Sequence, residues 1–331
     1  MSTLPLSKPD QGRLFAGGFA FIAVLAAMLA GWIPIAFSIA TVFLFAGPHN
    51  WLEARYILGR LPARTGKLWP FFAVSFLGIV GLTAGFALIP SYLRNSSAML
   101  EAESLYGIWD SVFLVWLATL VTMRSRTNPR FEAGWVWPLM FMLVAGVWLE
   151  PFAFGFALVY LHPLMALWLL DRELRRSHRE WLPAYRRGLL VMPMLLLALV
   201  ARLHSSPNLP GDDPVSRAIT GHAGDWFLAG VSSHLLVALH TFLEMVHYGV
   251  WVVLIPLVGY RSRAWELETI PVARRGGVWR KAVVVLLLFG LLLVLTLWSC
   301  FLLDYGTTRS VYFTVAMLHV LAEIPFLLRM I

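Results

Sequence analysis

The sequence predicts an all-α polytopic membrane protein of about ten transmembrane helices in a single helical domain, 1–331, and three observations predict it. Of its 331 residues, 59% are hydrophobic and 13% charged, with a mean hydropathy of +0.74; a soluble domain carries roughly 25% charged residues. The apolar residues run unbroken for about twenty positions at a time, as bilayer-crossing helices require, rather than alternating as in a β-barrel. The remaining charges gather between those runs, and the longest polar gaps are too short for a separate soluble domain.

The runs place helices near 14–30, 33–58, 68–89, 107–123, 134–149, 151–170, 188–204, 226–260, 282–303 and 310–330. The first follows Lys8 and Arg13, as in a secretory signal. No small-residue cleavage site stands out, and Gly31-Trp32 leads straight into the second run, so it reads as a retained span. The third stops at Pro90. Glu150-Pro151 makes a corner between the fifth and sixth, because proline cannot continue a helix. The eighth is anomalous: 35 residues would make about 52 Å of helix where a bilayer core needs about 30 Å. Either it is strongly tilted or Trp226 to about Ser233 projects past the membrane. The loop before it, 205–225, is rich in Pro, Gly and Asp and is expected to fold as a partial lid. No internal repeat is visible.

A net charge of +8 would suggest a nucleic-acid partner in a soluble protein; here it reports orientation. With the N-terminus cytoplasmic, 22 of the 26 Lys and Arg residues fall in cytoplasmic segments, and only Arg94, Arg202, Arg217 and Arg309 fall outside. That asymmetry predicts both termini in the cytoplasm and a bacterial inner-membrane location. The arginine-rich loops also suit anionic lipid heads. Trp69, Trp135, Trp137 and Trp226 read as interfacial anchors; Trp51, flanked by His49 and Glu53, reads as core packing ahead of a pocket wall. Cys300 is the single cysteine, which excludes a disulfide framework and thiolate metal sites.

The spans carry ionisable groups, which are costly in a bilayer and mark function. His49 and Glu53 lie four apart in the second span, His240 and Glu244 in the eighth, and His319 and Glu323 in the tenth. Four residues put both side chains on one helix face. His247 extends the eighth-span stripe, and Glu244 with His247 makes a Glu-x-x-His pair of the kind that holds two metal ions in helical bundles. His162, in Tyr-Leu-His-Pro-Leu, is the sixth-span histidine. At about 1.5 Å per residue, His162, His247 and His319 lie within a turn or two of mid-membrane, His49 nearer the cytoplasm and His240 nearer the outside. A lone intramembrane histidine is more often a helix contact than a ligand, which describes His162 and His234; three buried carboxylates need cations or protons. His178, His204 and His222 read as loop residues. Arg55 stands close enough to compete for Glu53, which makes Glu53 either a ligand or the group that orients one.

Histidine with carboxylate suits Fe, Mn or Zn. Eight candidates (His49, Glu53, His162, His240, Glu244, His247, His319 and Glu323) exceed what one zinc ion uses, so Fe(II), as one ion or two, accommodates them better, without excluding another metal. The expected chemistry is dioxygen activation on a lipophilic substrate delivered from the bilayer, with a redox partner and no nucleic acid.

Pro48-His49-Asn50-Trp51-Leu52-Glu53 resembles the Pro-His-x-x-Leu-Asp motif of the membrane Brp/Blh-type β-carotene cleavage dioxygenases. Leu318-His319-Val320-Leu321-Ala322-Glu323, followed by Phe326-Leu327-Leu328-Arg329, is similar to that family's last span. The resemblance implies non-haem iron held by histidines of several spans and oxidative cleavage of a carotenoid, with His49 a ligand and His162 the middle-span histidine. The family's histidine pair is spaced four apart, whereas His240 and His247 are seven apart with Glu244 between.

Other classes fit parts of this pattern. A proton-coupled transporter would use the His–Glu pairs as a relay, though repeats and paired broken helices are missing. A haem electron-transfer protein would take two histidines as axial ligands. A membrane scaffold would use the polar groups only to lock helix packing.

Overall fold

A computed structural model describes residues 8–93, 99–128, 132–259 and 265–330. Arg94, Arg130, Tyr260, Arg261 and Arg263, counted above among loop charges and span ends, lie outside them. The regular structure of the described residues is helical: α1 Lys8–Trp32, α2 Pro34–Arg60, α3 Trp69–Leu93, α4 Met99–Thr127, α5 Val136–Leu149, α6 Ala153–Ser177, α7 Leu182–Gly188, α8 Val191–Leu203, α9 Pro214–His222, α10 Ser233–Gly249, α11 Ile255–Gly259, α12 Gly277–Leu303 and α13 Tyr305–Met330. Among the described residues nine helical stretches are long and apolar enough to cross a membrane, counting Arg179–Leu203 (through α7 and α8) and Ser233–Gly259 (through α10 and α11) as one each; the tenth expected span, α5, has only 14 residues.

The long eighth run resolves into separate pieces. Gly224 and Gly230 take φ of +93°, a backbone that glycine adopts without strain. Helix then starts at Ser233, so the stretch before it is a turn rather than a projecting helix. Beyond Gly249 the chain makes one π-helical segment, Val250–Leu254, before α11. The expected partial lid contains α9, which Asp213 caps by accepting the N–H groups of Val215 and Ser216, both at 2.9 Å. A hydrogen bond from the Ser216 side chain, ahead of the one from its N–H, is the leading reason the Asp213 carboxyl titrates below the usual aspartate range. The basic stretch 171–187, expected as a loop, is largely helix, since α6 continues to Ser177 and α7 follows. Arg175 and Arg176 end α6, and Arg186 and Arg187 end α7, where cations are favoured.

The chain divides into two compact units, residues 1–61 with 159–306 and residues 62–158 with 307–331. In the first, α10 is the central element, packed by α1, α2 and α8. It is buried on almost every side, its ionisable stripe included. α12 packs on α2, pinned by two indoles: Trp51 Nε1 donates to the Leu287 carbonyl at 3.0 Å and Trp298 Nε1 to that of Phe43 at 2.8 Å. Trp51 is therefore packing, as expected. α7 packs on α1, where the Tyr185 ring meets Phe19 edge-on and its hydroxyl donates to the Leu167 carbonyl at 2.9 Å.

In the second unit α3, α4 and α5 pack in sequence order around Phe71, Trp109, Phe113, Leu120 and Met140, with Leu321 and Leu328 of α13 in the same core. Trp116 donates from Nε1 to the Val74 carbonyl at 3.0 Å, and its ring lies against Gly78 so closely that a Cβ there would fall inside it. Gly78→Ala is expected to cost about 1–3 kcal/mol by overpacking this contact, read as a lower Tm of the detergent-solubilised chain. An unchanged Tm would mean that α3 and α4 do not pack this way.

Candidate metal centre

Three helices of the first unit bring four of the expected residues together. On α2, Pro48 has no N–H to give to the carbonyl one turn back, and the helix continues through it. His49, next in the chain and fully buried, donates from Nδ1 to the Ala46 carbonyl at 2.9 Å. A carbonyl can only accept, so Nδ1 carries the hydrogen and Nε2 is the lone-pair nitrogen of the neutral ring. On α10, His247 repeats the arrangement: its Nδ1 reaches the carbonyl of Pro163 on α6 at 3.4 Å. Metal-bound imidazoles have this support, with one nitrogen held by a backbone carbonyl and the other presented.

The rings converge. The centroids of His49 and His247 are 5.2 Å apart at 73°, and His162 of α6 stands 4.9 Å from His247. Glu53, one turn after His49 and 1% exposed, places Oε2 at 3.9 Å from His49 Nε2. That is too long for a hydrogen bond. It suits two donors sharing one cation, since ligands about 2.1 Å from an ion stand roughly 3–4 Å apart. The first unit thus holds a buried histidine cluster with the chemistry to bind a metal ion.

Tyr248 completes this group and was not anticipated from the sequence. Its ring lies 4.5 Å from that of His49, and its hydroxyl donates to Glu244 Oε1 at 2.9 Å. Glu244, expected as a ligand, thereby holds the tyrosine that packs against a histidine. The spacing of Glu244 and Tyr248, four residues on one helix, was the available signal. Arg55, expected to compete for Glu53, sends Nη2 to Thr269 Oγ1 at 2.6 Å.

His240 does not join the cluster. Seven residues of helix rise about 10 Å, so it sits two turns from His247. There its ring meets Tyr160 at 5.9 Å and His222 at 5.0 Å. His222, expected as a loop residue, is in the last turn of α9 and half-buried. In the second unit, α13 carries His319, half-buried and offering an imidazole nitrogen, and one turn on the buried Glu323.

No known family, curated protein or solved structure matches the chain.

Proposed function

We propose that the protein is a membrane-embedded non-haem iron oxidoreductase that acts on a lipophilic substrate such as a carotenoid or lipid. The observation that carries this reading is the pair of buried histidines, His49 and His247, each with Nδ1 committed to a backbone carbonyl, beside the carboxylate of Glu53. Two imidazoles and one carboxylate are the donor set of mononuclear non-haem Fe(II) oxygenases. His319 is proposed as a further ligand on sequence grounds, since its helix repeats the His-x-x-x-Glu pattern; Glu323 would then orient it. Bound iron would supply the one-electron chemistry that activates dioxygen.

The chain's own residues supply position and dryness. The carbonyls of Ala46 and Pro163 fix the tautomer and rotation of His49 and His247. Glu244 holds the Tyr248 ring against His49, and Phe45 backs that ring at 6.4 Å. Burial excludes water, which strengthens each electrostatic contact in the site. An apolar substrate reaches such a site from the bilayer, and electrons come from a separate redox partner.

Metal analysis of the detergent-purified protein tests the proposal. About one iron per chain, without a Soret band, is the expected result. The buried His49–Glu53 pair and the Glu244–Tyr248 hydrogen bond also fit a proton relay. Metal-free protein showing uptake driven by a pH gradient would select that transporter reading and overturn the iron site.

A further inference from the structure

A file of aromatic rings leads from the histidine cluster to the ends of α2 and α6. It begins at Tyr248, against His49. Trp251, in the π-helical segment, follows His247 by four residues and Tyr248 by three, so its indole neighbours both on the helix surface. The indole is almost fully buried, and it meets the Tyr56 ring of α2 edge-on, with centroids 5.6 Å apart at 73°. Tyr56 stands seven residues from His49, about 10 Å along α2. Trp251 spans that interval from the facing helix.

The polar atoms along the file are arranged unequally. Each tyrosine donates its hydroxyl to a buried carboxylate, Tyr248 to Glu244 at 2.9 Å and Tyr56 to Glu173 at 2.6 Å. Trp251 Nε1 is buried and has no hydrogen-bond partner among the described residues, whereas Trp109, Trp116 and Trp298 each donate theirs to a carbonyl. An orphaned buried donor is costly, and one in a native fold calls for a role. One-electron traffic supplies it. A phenol that loses an electron becomes a strong acid and needs a base within hydrogen-bond reach. An indole that loses one keeps its proton where no acceptor is near, and passes the charge on.

We propose that Trp251 and Tyr56 form a one-electron path that drains surplus oxidising equivalents from the metal site; the inference rests on the iron reading above. When dioxygen or peroxide has oxidised the site and no substrate is at hand, Trp251 gives up one electron to it and becomes a radical cation, with its N–H retained. Tyr56 gives one electron to Trp251, which restores the indole. The Tyr56 proton passes along the 2.6 Å hydrogen bond to Glu173, leaving a neutral tyrosyl radical. A small one-electron reductant of the thiol or ascorbate class then returns the electron, and Glu173 returns the proton. One electron has moved from the reductant to the site, and the Tyr56 proton ends where it began. Tyr56 lines a cavity of about 280 Å³ whose lining includes Arg176, 63% exposed in its side chain, so solutes reach it. The volume is below the roughly 300–1,000 Å³ of sites for drug-sized ligands, and a small reductant fits.

The test uses the full chain in detergent, loaded with Fe(II) and with metal per chain counted first. Hydrogen peroxide is the oxidant, and samples frozen at increasing times are read by electron paramagnetic resonance. A long-lived tyrosyl signal is expected, quenched by added ascorbate. It is expected to be lost in Tyr56→Phe and in Trp251→Phe, and unchanged in Tyr185→Phe, whose buried hydroxyl donates to a backbone carbonyl instead. Tyr56→Phe keeps the ring and leaves Arg60 on Glu173, so it decides the matter even where Trp251→Phe unfolds. A signal undiminished in Tyr56→Phe overturns the proposal. Iron bound with no tyrosyl signal overturns the path alone, and a chain that binds no metal overturns it together with the iron reading.

Discussion

His247→Ala is expected to strip the metal from the purified protein, and His49→Ala to do the same. Loss of a group that merely orients a ligand weakens metal affinity 10–100-fold, so loss of either imidazole is expected to exceed about a hundredfold. The measurement is metal per chain after dialysis against a graded chelator, with helical content followed by circular dichroism to separate ligand loss from unfolding. His240→Ala is the internal control: its ring belongs with Tyr160 and His222, and occupancy is expected to stay at the wild-type level. Glu53→Gln keeps the volume and removes the charge, and places Glu53 as a ligand if occupancy falls with the histidine variants. Full occupancy in both histidine variants would end the case for this site.

Glu173→Ala is the second large effect, and it concerns stability. This carboxylate, 2% exposed on α6, receives the Tyr56 hydroxyl and Arg60 from α2. Removing it leaves a phenol and a guanidinium facing each other without their acceptor. Breaking a buried pair from one side costs about 3–5 kcal/mol; Arg60 keeps some access to water, so about 2–4 kcal/mol is expected here. Thermal unfolding in detergent reads it directly. Glu173→Gln, which still accepts from Tyr56, is expected to recover part of the loss. A Tm unchanged in Glu173→Ala would show that α2 and α6 are not joined at this point.

The composition made the helical class legible, because bilayer length and apolar content are one-dimensional quantities. His49, Glu53 and His247 were legible for a related reason: ionisable groups in apolar runs are conspicuous anywhere in a chain. What the sequence hid was pairing at long range. Glu173 stands in a basic stretch that offers it nearby cations, yet its partners on α2 are 113 and 117 positions away. His222 looked like loop until α9 brought its ring to His240. The stripe of His240, Glu244 and His247 was read correctly as one buried face, but axial rise separates its two ends, and periodicity alone is silent on which neighbour each end meets. The break before Ser233 was signalled by Gly224 and Gly230, whose positive φ the unbroken apolar pattern concealed.

The π-helical segment after Gly249 has an effect on angular phase. His247 and Gly259 are twelve residues apart, which in an uninterrupted α-helix would point them about 120° from each other. A π-bulge absorbs one residue and reduces that angle to roughly 20°. His247 meets His49 of α2 and His162 of α6, and Gly259 lies against Tyr56 of α2 and Glu173 of α6. One inserted residue therefore turns His247 and Gly259 toward the same two helices. The histidine cluster and the Tyr56–Glu173 contact lie along one face of this segment, and the π segment keeps them in step.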